Sequence, residues 1–284
     1  MKKIKNFFSD LGSTIKNIFI PDTIILTNSK EVIPPKPMSP YIIIALIISA
    51  FYFIEVTGFD LILVIRRFDQ LVPIMGRIFN PDLGYASNVV DPIFDTIQMS
   101  FLGTFMGVIF AMPVAFFASS NINKNKFLVG ATKVILVFFR TYPIVVYAMI
   151  LVLLFRYGTF AGTIALTIFT FSIVSKMLYE HIETIDLGAF EAMQATGSSI
   201  LKSFITAILP EILPAYYSIA LYSFEINIRH AAVLGYVNAG GIGMVMNDTM
   251  SLNQWEKLGT ILIALFIVVF IIEYISKTIR KRLV

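Results

Sequence analysis

The clearest pair of chemically capable residues in this sequence is a carboxylate and a guanidinium. Glu225 and Arg229 stand four positions apart in an apolar stretch, so on a helix they share one face and can form an ion pair. Charges in such a stretch normally face a bundle interior or an aqueous cavity. The pair therefore predicts either a polar path in which Arg229 attracts an anion, or a link that locks helices together.

A glycine-rich run follows this pair, Ala239-Gly240-Gly241-Ile242-Gly243. Such a run could cradle a phosphate, but no lysine follows its last glycine, and the pattern G-x-x-x-x-G-K-[ST] occurs nowhere in the chain. A nucleotide site is therefore not expected. The run instead predicts a turn, or flexible or closely packed backbone at the outer mouth of the molecule.

Metal and thiol chemistry find no support in the sequence. The chain has two histidines, His181 and His230, far apart and outside any H-E-x-x-H pattern, and it has no cysteine. An intramembrane enzyme would need a nucleophile with its base, or metal ligands, at one depth, and no such set is seen. We expect no catalytic residue, no metal and no cofactor.

The composition indicates the elements that must position these residues. Hydrophobic residues make up 57% of the chain and charged residues 14%, against roughly 25% charged in a soluble domain. The apolar residues come in long blocks, which predicts an all-α polytopic transmembrane helix bundle of about six spans. The net charge of +4 lies mostly at block ends, which favours contact with membrane lipid headgroups over nucleic acid.

Six apolar blocks define the predicted spans. They cover about 41–58, 92–118, 141–155, 161–178, 212–233 and 258–275. The third block, Phe127 to Phe155, is too long for one crossing, so we divide it at Arg140 into an interfacial piece and a span. Gly103 and Gly107, and Gly158 and Gly162, predict close helix contacts within one subunit.

The connecting segments complete the predicted domain organisation. Residues 1–40 form a cytoplasmic segment with no cleavable signal peptide expected. Residues 59–91 form a hydrophilic extracytoplasmic loop with room for a short helix, 92–276 the main transmembrane domain, and 277–284 a basic cytoplasmic tail. The lysine and arginine distribution places both termini and residues 183–210 in the cytoplasm of a cell (plasma or inner) membrane protein.

Residues 183–210 contain a pattern with a physical logic of its own. A helix opening after Asp186 would present the small Ala192 and Ala195 on one face, so that it could press into a groove of a partner. Gly197 would end this helix, because a left-handed backbone costs glycine little. A second helix would run from about Ser198 to Leu209.

Pro210, with Pro214, would then reset the chain direction into the fifth span. The two short helices together predict a rigid knob on the cytoplasmic side.

This knob resembles the coupling segment of ABC importer membrane subunits, which reads E-A-A, three variable residues, G, nine variable residues, then I-x-L-P. The residues that match this spacing are Glu191, Ala192, Gly197, Leu209 and Pro210. Met193 replaces the third alanine, and Ala207 stands where isoleucine is usual. The resemblance implies that these residues, with Ala195, contact a separate ATPase subunit.

A second resemblance is narrower and covers roughly residues 90–275. The run from Phe224 to Arg229, the Val-Leu-Gly at 233–235 and the glycine run look like the fifth-span signature of phosphonate ABC transporter permeases. Arg140-Thr141-Tyr142-Pro143 resembles their R-[ST]-x-P before the third crossing. The residues expected to line a translocation pathway are Glu225, Asn227, Arg229, Gly240, Gly241, Gly243, Arg140 and Pro143.

The resemblance implies a permease subunit of an importer for phosphonate or a related phosphorus oxyanion. Its expected partners are ABC ATPase subunits, an extracytoplasmic solute-binding protein, a second permease copy in a homodimer, and membrane lipid. An importer permease for a thiamine-type or methionine-type solute stays open at this point. An ion-coupled secondary transporter is the other alternative, although its broken helices would recur in both halves of the chain.

Overall fold

The computed structural model describes residues 38–156 and 158–283, together with the backbone of two short strands. Strands β1 (Ile24–Ile25) and β2 (Glu31–Val32) form an antiparallel pair in which Ile24 faces Val32. Outside this strand pair, all the regular secondary structure of the described residues is helical. The other residues of the predicted segment 1–40, up to residue 37, lie outside the described part.

Eleven α-helices follow in the described residues. They are α1 (Ser39–Thr57), α2 (Leu61–Ile78), α3 (Ser87–Ala118), α4 (Lys126–Thr141), α5 (Ile144–Phe155), α6 (Thr159–Thr184), α7 (Gly188–Ala195), α8 (Ile200–Ser203), α9 (Leu209–Leu234), α10 (Ile242–Ser251) and α11 (Trp255–Leu283). Short 3₁₀ turns cover Leu83–Ala86 and Gly235–Val237, and a π turn covers Phe204–Ile208.

The chain divides into two compact units, residues 1–71 and residues 72–284. In the first unit α1 ends at Gly58, whose φ of +63° is the left-handed conformation that glycine adopts cheaply. Two residues later the Asp60 carboxylate accepts hydrogen bonds from the backbone N–H groups of Ile62 and Leu63 at 2.8 and 3.1 Å, which starts α2.

The number of helices able to cross a membrane agrees with the prediction of about six spans. By length and composition these helical stretches are Ser39–Thr57, Leu83–Ala118, Thr159–Thr184, Ile200–Val237 and Trp255–Leu283, and the bent pair of α4 and α5 makes a sixth. The two members of that pair meet at an angle of 84°. Helix α5 has 12 residues and rises about 18 Å, so it cannot cross a hydrocarbon core of about 30 Å alone.

The helix bounds differ from the predicted segment bounds at three places. Residues 59–91 contain an 18-residue helix, α2. Its charged residues lie on one helical face, so the segment forms an amphipathic helix and not mainly a loop. Helix α3 begins at Ser87, five residues before the approximate start at residue 92 that the sequence predicts for the second span. The basic segment 277–284 is no separate tail over its described residues, since α11 continues through Leu283.

The course of the chain around Pro210 also differs from the prediction. The helical stretch Ile200–Val237 runs on through Pro210 and Pro214, so Pro210 does not reset the chain direction. Pro210 has no N–H to donate to the carbonyl of Thr206, and a proline ring crowds the carbonyl four residues before it. The π turn at Phe204–Ile208, where the N–H of Leu209 donates to the carbonyl of Phe204, widens the helix there.

The core of the second unit is the close crossing of α3 and α6. A Cβ at Gly103 would lie 2.6 Å from the Leu166 Cβ, and one at Gly107 would lie 2.6 Å from the Thr170 Cβ. Only glycine permits this approach, which confirms the predicted close packing inside one subunit. Gly162 packs in the same way against the carbonyl of Ala239, whereas Gly158 faces open space.

Gly107→Ala is expected to destabilise the fold by about 1–3 kcal/mol, since the added methyl group meets the backbone of α6 at Thr167 and Phe171. Gly130→Ala is the matched control, because Gly130 is a helical glycine with nothing within 4 Å of its Cβ position. There alanine should be neutral or slightly stabilising. Melting midpoints in detergent give the comparison, and equal midpoints would contradict the close crossing.

Candidate functional site

The knob between α6 and α9 is built around α7. The Asp186 carboxylate accepts a hydrogen bond from the N–H of Gly188 at 2.9 Å, as expected for a helix that opens after this residue. Gly197 ends the helix with a φ of +88°. The N–H of Gly197 donates to the carbonyl of Gln194 at 2.9 Å and that of Ser198 to Met193 at 3.2 Å. These bonds form a Schellman motif, which confirms the predicted helix stop.

One side of α7 is anchored in the protein and the other is open. Phe190 is 4% exposed and packs in a buried cluster with residues from α6, the π turn and α9, among them Ile182, Phe204 and Ile212. The predicted contact residues are on the outer side of the knob or next to it. Glu191, Ala192, Ala195, Gly197 and Pro210 are exposed, and Leu209 is half-buried.

Glu183 holds the base of the knob to the loop between α3 and α4. Its carboxylate accepts hydrogen bonds from the N–H and Oγ of Ser120 at 2.8 and 2.7 Å, and from the Lys133 Nζ at 2.8 Å. Asn121 adds a bond of 2.8 Å from its side-chain amide to the carbonyl of Ile182. The base of the knob is therefore bonded to α4 through Lys133 as well as to the loop that precedes α4.

The charged face of α9 meets α11 in a network of four side chains, which we call the charge network. The Glu225 carboxylate accepts from Arg229 Nη2 at 2.7 Å and from Arg280 Nη2 at 3.0 Å. Arg229 Nη2 also donates to the Glu273 carboxylate at 3.0 Å. The predicted pair of Glu225 and Arg229 forms, but it is half of a network that carries no net charge.

Asn227 lies on a different face of α9 from the charge network. Its side chain is fully buried, and its amide donates to Thr104 Oγ1 at 2.8 Å and to Thr170 Oγ1 at 2.6 Å. Asn227 thereby links α9 to α3 and α6. Its carbonyl oxygen has no hydrogen-bond partner among the described residues.

The glycine run packs closely against the backbone and side chains of neighbouring helices, and we call this region the packing joint. Gly240 has a φ of +93°, and its Cβ position would lie 2.6 Å from the backbone nitrogen of Thr159. At the next residue, Gly241, a Cβ would lie 2.6 Å from Thr96 Oγ1, and the N–H of Ile242 donates to the same oxygen at 2.8 Å. Gly243 contacts the backbone of Ala232. The expectation of closely packed backbone is confirmed.

Arg140 and Pro143 lie at the bend between α4 and α5. Arg140 is in the last turn of α4, and Pro143 precedes the first residue of α5. Both residues are exposed. Within the described chain, no ion pair or hydrogen bond joins the Arg140 side chain to any other residue. The predicted pathway residues therefore lie in four separate places. Glu225 and Arg229 belong to the charge network, Asn227 links three helices in the interior, the three glycines lie in the packing joint, and Arg140 and Pro143 lie at this bend.

Sequence reasoning missed several partners of these residues. Glu273 is a lone acid in the last apolar block, and its position in a span was a usable signal. Arg280 was assigned to a tail, although it reaches Glu225. Phe190 and Glu183 give no signal in the sequence, because one is an aromatic residue among many and the other is one of several acids near a block end.

A second ion pair lies where α2 ends and α11 begins. Arg77 donates to the Glu256 carboxylate from Nε at 2.7 Å and from Nη2 at 2.9 Å. The hydrogen bond to Glu256 raises the pKa of the Arg77 guanidinium. Gly259 packs against the carbonyl of Ile78 in the same place, where a Cβ would collide with that oxygen. The end of α2 is therefore held to the start of α11.

Apolar helices long enough to cross a membrane, with an exposed helical knob between two of them, define a polytopic membrane protein. The chain belongs to the family described as binding-protein-dependent transport system inner membrane component, whose model matches residues 103–283. It is accordingly the permease subunit of an ABC importer, as the sequence predicted.

Two curated relatives come from Stutzerimonas stutzeri. The phosphite transport system permease protein PtxC is 29% identical over 75% of this chain and 78% of its own length. The putative phosphite transport system permease protein HtxC is 32% identical over 72% of each chain. A solved structure of the MetNI methionine ABC transporter in an inward-facing conformation matches 72% of this chain and 99% of its own, with a TM-score of 0.64 and 22% identity, which shows the fold.

Glu225→Gln is expected to destabilise the folded protein by on the order of 3 kcal/mol, because it leaves Arg229 and Arg280 without the carboxylate they share. The Glu225 side chain is 7% exposed. Glu273→Gln is the matched control, since Glu273 is 52% exposed and its partner Arg229 keeps Glu225. Detergent-stable yield and melting midpoint report the difference. Equal losses in the two variants would contradict the central role of Glu225.

Proposed function

We propose that this permease imports a phosphorus oxyanion, phosphite or a phosphonate, driven by ABC ATPase subunits that press on the knob. The observation that carries the coupling role is the geometry of α7, which is exposed on one side and anchored by Phe190 on the other. The names of the two Stutzerimonas stutzeri relatives support the choice of solute. The likeness to the methionine transporter structure supports the fold and says nothing of the solute.

The geometry of the knob is suited to pass a displacement imposed by a partner subunit on to the helices behind it. Ala192 and Ala195 leave room for close approach of a partner surface, and Glu191 offers it a charge. Because Phe190 packs against the ends of α6 and α9, force on α7 reaches both helices. An ATPase pair drives alternating access only through contacts that differ between the two states, and the knob is the surface on which we place those contacts.

Gly197→Val should impair transport while the permease still inserts. A β-branched residue at a φ of +88° costs about 1–2 kcal/mol. Because nothing lies within 4 Å of the Gly197 Cβ position, the effect comes from backbone strain in the knob. Co-purification of the ATPase subunit and solute uptake are both expected to fall.

Gly188→Ala is the control for this prediction. Gly188 opens the same helix, its φ is not positive, and a Cβ there would make only an ordinary contact, at 3.4 Å, with the Asp186 carboxylate. Wild-type ATPase binding together with normal uptake in Gly197→Val would remove the coupling role from this segment.

We place the anion pathway at the bend between α4 and α5 rather than at the charge network. The Arg229 guanidinium is already compensated by two carboxylates, and Asn227 and the three glycines are engaged in packing between helices. Arg140 is a cation with no acidic partner in the described chain. The break in the bent pair is exposed, and irregular backbone at membrane depth is tolerated only where protein covers it or water lines it.

The remaining partners follow from this placement. A second copy of the permease would cover the exposed break from the other side and complete a path between two subunits. An extracytoplasmic binding protein would deliver the solute to its outer mouth. The lysine and arginine distribution supports cytoplasmic placement of both termini and of residues 183–210.

Arg140→Gln is expected to lower phosphite uptake roughly tenfold or more, the loss that one charge-assisted hydrogen bond to an anion implies. Arg140→Lys keeps the charge and should retain part of the activity. Lys124→Gln removes one positive charge from an exposed loop and serves as the control. Uptake is measured in proteoliposomes with the cognate ATPase and binding protein.

The same assay tests the solute. Uptake of phosphite or a phosphonate, competed by neither methionine nor thiamine, is the expected result. Transport of methionine without phosphite or phosphonate would overturn the substrate proposal and leave the coupling role of the knob intact. Full phosphite uptake by Arg140→Gln would instead remove Arg140 from the pathway.

A further inference from the structure

Helix α2 carries an apolar stripe that no described residue covers. An apolar residue stands at every i, i+3 or i+4 step from Leu61 to Ile78, so these residues share one continuous face. Along it Leu61, Ile65 and Phe68 are 60%, 65% and 58% exposed, and no residue of α2 is buried. A stripe of this length needs an apolar cover.

Chain connectivity brings both ends of α2 to a membrane surface. Helix α1 is a candidate span, and only three residues separate its end at Thr57 from the start of α2. At the other end, Arg77 is bonded to Glu256 at the start of α11, which is also a candidate span. Helix α2 carries four charged residues and is not itself a candidate span. It must therefore run along the surface.

From Arg66 onward, the face of α2 opposite the stripe suits water. Arg66, Asp69 and Gln70 lie on it, as does Pro73. Proline has no N–H, so the carbonyl of Asp69 lacks its helical partner and needs another donor. Water supplies that donor on a face turned away from hydrocarbon, whereas a helix immersed in lipid would leave the carbonyl unpaired.

The free charges on α2 favour an anionic surface. Arg77 is paired with Glu256, but neither Arg66 nor Arg67 has an ion-pair partner among the described residues. Long arginine side chains flanking an apolar stripe reach outward to the phosphate level of a bilayer. Basic residues at that level are attracted to anionic lipids.

We propose that α2 lies in the plane of the membrane interface, with its apolar stripe among the acyl chains and with Arg66 and Arg67 bound to the phosphate groups of anionic lipids. Helices of this composition embed about 5–10 Å into the boundary between headgroups and acyl chains. The lipid surface is the occupant because the spans at both ends of α2 place the stripe at that boundary. The proposal is independent of which solute the permease carries.

The position of the stripe is tested by spin labels at single cysteines introduced along residues 61–78 of the full-length protein in vesicles. The chain has no native cysteine, so each label reports one site. Accessibility to oxygen, which concentrates in lipid, should peak at Ile65 and Phe68. Accessibility to a water-soluble nickel chelate should peak at Arg66 and Gln70, with a period of about 3.6 residues.

Three results would overturn this placement. Exclusion of both reagents from the stripe would mean that protein, such as a second copy, covers it. Access of the nickel chelate to both faces would mean a solvated helix, free for a soluble partner. Oxygen access all round would mean a helix that crosses the hydrocarbon.

The lipid preference is tested with a fluorescent label at Leu71→Cys, quenched by brominated phosphatidylglycerol or by brominated phosphatidylcholine. The protein should prefer phosphatidylglycerol, and Arg66→Gln with Arg67→Gln should lower that preference by about fivefold or more. Lys124→Gln with Lys126→Gln removes the same charge elsewhere and should leave the preference unchanged. An unchanged preference in the arginine variant would overturn the anionic-lipid contact.

Discussion

The hydrocarbon core of a membrane offers no hydrogen-bond partners, so most polar side chains inside this permease are paired within the protein. Threonine and serine hydroxyls inside the spans donate to carbonyls of their own helices, as Ser100 and Thr104 do at 2.6 and 2.7 Å. Asn227 bridges three helices, and Glu225 collects two guanidinium groups. Because the Asn227 amide and the Glu225 carboxylate have partners on neighbouring helices, the same bonds that reduce the penalty also fix which helices are neighbours.

The glycines set how close those neighbours come. The crossing of α3 and α6 brings backbone to backbone, which lets Thr104 and Thr170 reach the Asn227 amide from two sides. The glycine run does the same for the joint of α3, α6 and α10, where Thr96 supplies an acceptor to the first N–H of α10. Close packing and polar pairing are thus one arrangement, and a larger residue at a crossing would disturb both.

The sequence predicted what depends on local pattern. Long apolar blocks predicted the spans, Gly197 predicted the end of α7, and the spacing of Glu225 and Arg229 predicted their pair. Contacts between distant segments gave no such signal: Arg280 lies 55 positions from Glu225, and Phe190 is anchored by residues of three separate elements. For residues 59–91 the sequence predicts a loop with room for only a short helix, whereas α2 has 18 residues, because a charge count ignores the face on which the charges lie.

Pro210 shows a related limit, because a proline that ends most helices is accommodated here by a widened turn. The family resemblance identified the class of transporter, whereas the roles of individual pathway residues depend on contacts that spacing does not encode.

The short reach of α5 has an electrical consequence. A membrane potential acts on a charge in proportion to the fraction of the voltage that the charge crosses, about 2.3 kcal/mol per elementary charge for a full 100 mV. Where water enters a broken span, the insulating layer is thinner and the field across it is correspondingly steeper. An anion that enters a cell with a negative interior by the route proposed at the α4–α5 bend would meet that opposing field over a shorter distance than the full hydrocarbon thickness.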